Sequence, residues 1–262
     1  MDLSQKQVRI VDIAEALGLS TATVSNVIHG KTSKISDETV KRVHKELERT
    51  GYIPNMAGIL LARNNSRIIG VVINDHIKYE GRVLEDGFVM SSLNALSHEV
   101  NKKGYFLMIN TTADIREIPV FASMWNMDGL ILMGFCEADY EKLRNQMRIS
   151  FVVYDGYFEK CSKVVNLVID HFDGGFQAGE YLKQLGHKKA LRFQMIGFDD
   201  SAASRESRPA LTTIRQDPVL RAKSAIECIE AMRDGRNCEE KILLPVELIK
   251  RESTRELSCQ NL

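Results

Sequence analysis

The chain has 262 residues, enough for one small and one medium domain, and its 35 basic and 35 acidic side chains give a formal net charge of zero. Its longest apolar runs, such as residues 129–135, are too short to cross a bilayer, and no basic-then-apolar leader opens the sequence, so neither a membrane protein nor a secreted one is expected. The cysteines, at positions 136, 161, 228, 238 and 259, are odd in number and lack CxxC or metal-like spacing. We therefore expect reduced thiols, no metal site and a cytoplasmic protein.

The first part of the chain has the pattern of short packed helices. Apolar residues recur at the i, i+3, i+4 and i+7 spacing of one helix face at Ile10, Ile13, Ala14 and Leu17. Gly18 then permits a tight turn. Ser20 is a good N-cap because its hydroxyl can accept a hydrogen bond from an unpaired backbone N–H. A second helix is therefore predicted over residues 21–29, with Val24 and Ile28 facing inward.

A third helix is predicted to cover the first two. Ser36 is its N-cap, and its buried face is formed by Val40, Val43 and Leu47. Two short helices around a tight turn, with a third helix covering their apolar sides, make the helix-turn-helix plan. We therefore predict a three-helix DNA-binding domain over residues 8–53.

The second helix has the side chains that base recognition requires. In this plan it enters the major groove, with its N-terminal residues at the base edges. Its outward positions are Thr21, Ala22, Ser25, Asn26 and His29, and Thr23 lies beside them. Asn pairs bidentately with adenine, whereas Thr and Ala methyls contact thymine. No carboxylate lies within residues 21–29 to repel phosphates. The alternative, a helical pair within a larger core, fits poorly because the helix has so few apolar residues.

Residues 54–64 are predicted to form a hinge. Pro54 is expected to stop the preceding helix, and the segment after it could form only two helical turns, which Gly58 weakens by about 1 kcal/mol relative to alanine. So short a helix is marginal in water, and we expect it to form only on DNA. Leu60 and Leu61 would be exposed in a plain linker. Insertion between base steps from the minor groove explains them, and packing on the next domain is the alternative.

Residues 8–75 resemble the lactose-repressor/galactose-repressor (LacI-type) family of bacterial transcription regulators. The similar stretches are VDIAEALGLSTATVSNVI, ISDETVKRV, GYIPN, a hinge ending in LLA, and the strand IIGVVIN. By this resemblance, base-reading or DNA-contacting positions are Thr21, Ala22, Asn26, Tyr52 and Asn55. Leu61 stands where family members insert a leucine lever into the minor groove. Asn26 replaces the Arg of many members, so adenine rather than guanine is expected there.

From Ile68 onward, short apolar strands alternate with helices, which predicts βαβ units and a parallel sheet. Such sheets bind ligands at the carboxyl ends of their strands. The candidate effector-binding residues just past these ends are Asn74, Asp75 and Asp155, with Gly134 beside them. Asp170 is a further candidate, in a V-x-D-N-like motif whose Asn is replaced by His171. The resemblance implies a two-subdomain, periplasmic-binding-protein-like α/β core over residues 67–253 that closes on a small sugar-like effector.

The second subdomain of this core is expected to be incomplete. IGFDDSAASRESRPALTTIRQD and ILLPVELIKREST resemble late family motifs, but Phe193 runs directly into Gln194 where relatives have roughly 70 to 80 more residues, about half a domain. The fused runs ALRF and MIGF are separate strands in relatives, so only one can keep its place. The sheet should lose most of its strands. A natural deletion, a sequence artefact and a working shortened regulator are the three explanations.

Other functional classes fit less well. No G-x-S-x-G, P-loop, G-x-G-x-x-G or H-E-x-x-H motif occurs, so no enzyme, catalytic residue or cofactor is expected. Residues 1–67 carry ten basic and seven acidic side chains, a small excess that suits phosphate contacts if it lines one face. The sequence predicts a repressor that binds a pseudo-palindromic double-stranded operator as a homodimer and was ancestrally controlled by a sugar-like effector. An effector-blind DNA binder or a non-functional deletion product is the alternative.

Overall fold

The computed structural model describes residues 8–52, 66–156, 164–187 and 195–254. They belong to two compact units, an N-terminal unit within residues 1–64 and a core unit within residues 65–262. Several predicted features lie outside the described ranges: Asn55, Leu61, the rest of the hinge, and the junction of Phe193 with Gln194. Within the described ranges, no helix has both the length and the apolar character needed to span a membrane.

Three helices form the described part of the N-terminal unit: α1 (Ile10–Leu17), α2 (Thr21–Ile28) and α3 (Asp37–Thr50). Ser20 caps α2, since its Oγ accepts a hydrogen bond from the backbone N–H of Thr23 at 3.1 Å. Ser36 caps α3 in the same way, accepting from the N–H of Thr39 at 3.3 Å. Gly18 ends α1 in the left-handed conformation, with φ at 64°. The predicted starts of α2 and α3 and the end of α1 are therefore confirmed.

The three helices share one small apolar core, whose buried members are Ile13, Ala14, Val24, Val27 and Val43. Ile28, which was predicted to face inward, is only half-buried, whereas Val27 is fully buried. Helix α2 ends at Ile28, one residue earlier than predicted. Helix α3 ends before Gly51, whose φ of 60° closes the last turn. Gly51, rather than the later Pro54, therefore ends this helix.

Nine strands lie in the described part of the core unit: β1 (Ile68–Ile73), β2 (Phe106–Thr111), β3 (Gly129–Met133), β4 (Phe151–Tyr154), β5 (Val164–Ile169), β6 (Ile196–Phe198), β7 (Thr212–Gln216), β8 (Lys241–Leu244) and β9 (Val246–Ile249). The larger sheet has the order β2-β1-β3-β4-β5-β8, and all of its pairings are parallel. The predicted parallel sheet is confirmed.

Six α-helices are interspersed with these strands: α4 (Gly87–Lys102), α5 (Glu117–Met124), α6 (Glu137–Gln146), α7 (His171–Gln184), α8 (Ala202–Glu206) and α9 (Pro218–Arg233). Helices α4 and α9 cover one face of the larger sheet, and α5 and α6 cover the other. The inner strands β1, β3, β4 and β5 are buried along their whole length, because helices cover both faces there, whereas the edge strands β2 and β8 are partly exposed. At Gly129 a Cβ atom would collide with Ile229, so this glycine lets α9 approach β3 closely.

The smaller sheet has the order β6-β7-β9, with β7 parallel to β6 and antiparallel to β9. Helix α7 packs on it through Gln177, whose side chain donates to the Val246 carbonyl at 3.1 Å and accepts from the Leu248 N–H at 2.9 Å. Of the two fused apolar runs, MIGF supplies β6, whereas ALRF lies outside the described residues. On α7, Phe172 is 84% exposed and Phe176 is 59% exposed. Among the described residues, a sheet of three strands beside exposed aromatic rings agrees with the expected loss of strands.

The last motif of the chain divides between the two sheets. ILLPVELIKREST, one of the late family motifs, supplies β8 in the larger sheet and β9 in the smaller one, with Pro245 between them. Strand β5 pairs with β4 and β8 in the larger sheet. The chain therefore passes to the smaller sheet after β5, returns to the larger sheet for β8 after α9, and passes to the smaller sheet again at Pro245.

Candidate nucleic-acid interface

Helix α2 is anchored by one face and presents the other to solvent. Val24 and Val27 are buried in the core of the N-terminal unit. On the opposite side Thr21, Ala22 and Asn26 are exposed. The capped amino terminus fixes the first turn, which carries Thr21 and Ala22, and Asn26 lies one turn further along the same helix. This is the arrangement that direct reading of base edges requires.

The remaining predicted positions on α2 are less accessible. Thr23, Ser25 and His29 are half-buried. The hydroxyl of Thr23 is hydrogen-bonded to Ser20 Oγ at 2.9 Å, so it takes part in the cap at the start of the helix. His29 is the C-cap of α2, and its backbone N–H donates to the Ser25 carbonyl at 3.0 Å. Thr23 and His29 therefore help to fix the two ends of α2.

Tyr52 lies against the core of the N-terminal unit. Its side chain is half-buried and packs on the apolar cluster of the three helices. Its backbone N–H donates to the Leu47 carbonyl at 3.1 Å, which fixes the chain just after α3. The predicted DNA contacts of Asn55 and Leu61 lie outside the described residues.

The chain segment that contains α2 carries no acidic side chain. No acidic residue occurs from Leu17 to Ser36, whereas Lys31 and Lys34 are exposed just beyond the helix. Arg42 on α3 donates to the Leu17 carbonyl at 3.0 Å and so fastens α3 to the end of α1. Sequence reasoning missed this arginine because a backbone carbonyl partner leaves no trace in the residue pattern. The charge distribution favours a polyanion beside α2.

In the core unit, the predicted effector-binding positions lie at the carboxyl edge of the larger sheet. Asn74 follows β1, and its Nδ2 donates to the Gly134 carbonyl after β3 at 2.8 Å. Asp75 follows Asn74, and its Oδ1 is buried with no hydrogen-bond partner among the described residues. A cavity of about 200 Å³ opens beside them, lined in part by Asn74, His76, Tyr79 and Phe88. The structure thus brings Asn74 and Gly134 together at one cavity.

The carboxylate of Asp155 forms an ion pair with a buried arginine that the sequence did not reveal. Arg221, on the first turn of α9, is 1% exposed and lies 2.6 Å from the Asp155 carboxylate. It also donates to the Leu167 carbonyl and to Gln216 Oε1, both at 2.9 Å. Its guanidinium lies 4.3 Å from the ring centroid of Tyr154, whose pKa burial raises. The arginine's position among the apolar residues of α9 was the one available signal.

Asp170 is likewise engaged within the chain. It is the N-cap of α7, and its carboxylate accepts from the backbone N–H of Asp173 at 2.8 Å. Three of the four candidate effector-binding side chains therefore have intramolecular partners.

Family models match both units. A model described as "Bacterial regulatory proteins, lacI family" matches residues 9–55, and one described as "Periplasmic binding protein-like domain" matches residues 191–254. The transcriptional regulator MalR of Streptococcus pneumoniae serotype 4 is 32% identical over 188 residues, covering 70% of this chain and 55% of its own length. The maltose regulon regulatory protein MalI of Vibrio furnissii is 32% identical over 115 residues, covering 44% of this chain and 77% of its own length.

Solved structures share the fold. The lac repressor dimer bound to operator and the anti-inducer ONPF is similar with a TM-score of 0.82 at 19% identity, covering 95% of this chain and 100% of that chain. The complex of the transcriptional regulator CelR with cellobiose has a TM-score of 0.59 at 14% identity, covering 94% of this chain and 100% of that chain. The chain spans about half the length of the curated relatives that it matches, 55% for MalR and 54% for PtxS of Pseudomonas putida. With a regulator-family model on its helical unit and a relative matched over most of its length, the chain belongs to the lacI family of bacterial regulatory proteins.

Proposed function

We propose that this chain is a sequence-specific DNA-binding transcription regulator that represses by occupying its operator. The observation that carries the proposal is helix α2, with a buried face on Val24 and Val27, an exposed polar face, and no acidic residue in the segment from Leu17 to Ser36. Thr21 and Ala22 would contact thymine methyl groups, and Asn26 would pair with adenine in the major groove. Residues lining the rest of the interface would be Thr23, Ser25, His29, Tyr52, Asn55 and Leu61.

The partner is a double-stranded operator, and the binding species is a homodimer. One N-terminal unit of this size reads only a few base pairs. Two such units related by two-fold symmetry would bind a pseudo-palindrome with half-sites about 34–36 Å apart. The small basic excess of residues 1–67 predicts binding that weakens steeply with salt. The dimer in the lac repressor complex supports this assembly by analogy of fold alone.

We also infer that control by a small sugar-like effector is weakened or lost. Asp155 is paired with Arg221, Asp170 caps α7, and Asn74 is bonded to Gly134, so three of four candidate side chains would have to leave existing partners. The short second sheet supports the same reading, because less surface is left to close over a ligand. An effector-blind DNA binder therefore fits better than an effector-controlled one. A non-functional deletion product would bind no operator.

Selection from a random DNA pool with the purified full chain tests the DNA-binding proposal. We expect a two-fold symmetric consensus, with an adenine at one position of each half-site that depends on Asn26. Asn26→Arg should move this preference to guanine, by about 1–3 kcal/mol per bidentate contact. His44→Ala is the matched control, because it alters an exposed side chain on α3. This variant should leave the consensus unchanged. Recovery of no consensus would reject the proposal, and a consensus unaltered by Asn26→Arg would reject the role of this residue.

A further inference from the structure

The chain turns sharply at Arg67, directly before β1. Arg67 has a φ of 51°, in the left-handed region that residues other than glycine rarely adopt. Ser66 beside it is 1% exposed, and its Oγ accepts a hydrogen bond from the Ile68 N–H at 3.1 Å. A residue persists in a strained conformation only where the surrounding structure holds it there. The turn at Arg67 is therefore fixed by its neighbours rather than by its own preference.

Asp128, the residue before β3, holds this turn through its side chain and its backbone together. Its Oδ2 accepts a hydrogen bond from the Arg67 N–H at 3.0 Å, and its own N–H donates to the Ile68 carbonyl at 3.0 Å. From the other side, the N–H of Phe106, which begins β2, donates to the Arg67 carbonyl at 2.7 Å. Arg67 is thus bonded to both strands that flank β1.

The carboxylate of Asp128 is itself kept in place. Its side chain is 8% exposed, and Nη1 of Arg233, at the end of α9, lies 4.0 Å from Oδ2. Arg233 also donates a hydrogen bond to the Tyr105 hydroxyl. A carboxylate that accepts from a backbone N–H forms a stronger hydrogen bond than a neutral acceptor does, and shielding from water strengthens it further. Asp128 is therefore a preorganised acceptor for the Arg67 N–H.

We propose that Asp128 is a positioning residue for operator binding, which sets the direction in which the chain leaves the core unit toward the predicted hinge at residues 54–64. This inference rests on the proposed function, a dimer that binds two half-sites. In such a dimer, one half-site spacing is preferred only if the start of each hinge is held in a fixed direction. Asp128 acts through Arg67 and touches no base in this role.

Operator binding across a series of half-site spacings tests the proposal. The half-sites are those selected from the random pool, and duplexes differ by one base pair at the centre. Each added base pair lengthens the separation by about 3.4 Å and rotates one half-site by about 35°. In a gel shift, the natural chain should prefer one spacing over its neighbours by about tenfold or more. Asp128→Ala should reduce this preference to about threefold or less, with unchanged affinity for an isolated half-site at low salt.

Two further variants separate positioning from folding. Asp128→Asn keeps an oxygen that can accept from the Arg67 N–H, and it should retain most of the spacing preference. Asp114→Ala removes the same charge from the connection after β2, where Asp114 bonds to Arg116, and it should leave the preference unchanged. A loss of stability alone would lower the binding-competent fraction equally at every spacing, so the ratio of affinities would not move.

A flat spacing profile for the natural chain would overturn the proposal, as would an unaltered profile for Asp128→Ala. Failure of the natural chain to bind any half-site would instead reject the proposed function, and this inference with it. Amide hydrogen exchange of Arg67 in the natural chain needs no substitution. Because Arg67 is exposed, slow exchange of its N–H would report the bond to Asp128, whereas exchange at the rate of an open loop would overturn the proposal.

Discussion

Replacing Arg221 with leucine probes the buried guanidinium of the core unit. The change removes the ion pair to Asp155 and the hydrogen bonds to Gln216 and Leu167. Breaking a buried charge pair by removing one partner costs about 3–5 kcal/mol. Two features reduce this value. The Asp155 side chain is 28% exposed, and the Leu167 carbonyl keeps a hydrogen bond from the Asp155 N–H at 3.0 Å. We therefore expect the free energy of unfolding to fall by about 2–3 kcal/mol.

Urea unfolding followed by the fluorescence of Trp125 measures this loss. Trp125 is the single tryptophan of the chain and lies in the core unit, so the N-terminal unit does not contribute to its signal. Lys223→Leu is the matched control, since Lys223 lies on the same helix, is 59% exposed, and has its nearest charge partner, Glu227, at 4.0 Å. The control should change stability by less than about 0.5 kcal/mol. A loss under about 1 kcal/mol for Arg221→Leu would refute the view that this buried arginine stabilises the core unit through its ion pair and hydrogen bonds.

Three other changes test separate parts of the molecule. Gly129→Ala should destabilise the core unit by about 1–3 kcal/mol in the same urea assay, because a Cβ there collides with Ile229; an unchanged midpoint would mean that α9 can move away freely. Leu61→Ala should weaken operator binding in a gel shift while leaving the circular dichroism of the head unchanged, and unaltered affinity would contradict the lever role. Calorimetric titration with a panel of sugars should give no saturable heat, and clear saturation would contradict the inferred loss of effector response.

Local signals in the sequence were sufficient for the N-terminal unit. Ser20, Ser36 and Gly18 act within a few residues of themselves, through caps and a left-handed turn, so their roles follow from short-range stereochemistry. The alternation of apolar strands and helices likewise predicted the larger parallel sheet. The inward face of α2 was less certain, because a helix of eight residues offers two nearly equivalent apolar stripes, and Val27 rather than Ile28 is fully buried.

The fate of the second subdomain required the tertiary structure. The sequence shows that a stretch is missing between Phe193 and Gln194. It does not show which of the remaining strands pair with one another. The structure divides one motif between β8 and β9, and it keeps three strands in the smaller sheet. Which strands pair with one another depends on how they pack against helices α7 and α9. These contacts join residues that are far apart along the chain.

The sequence by itself determined the family, the helix-turn-helix head and the α/β class of the core, because each depends on residue spacing within a single element or motif. The partners of the candidate effector-binding residues were decided only by the tertiary structure. Arg221 reaches the Leu167 carbonyl across 54 positions of the chain, and no periodicity or motif encodes so distant a partner.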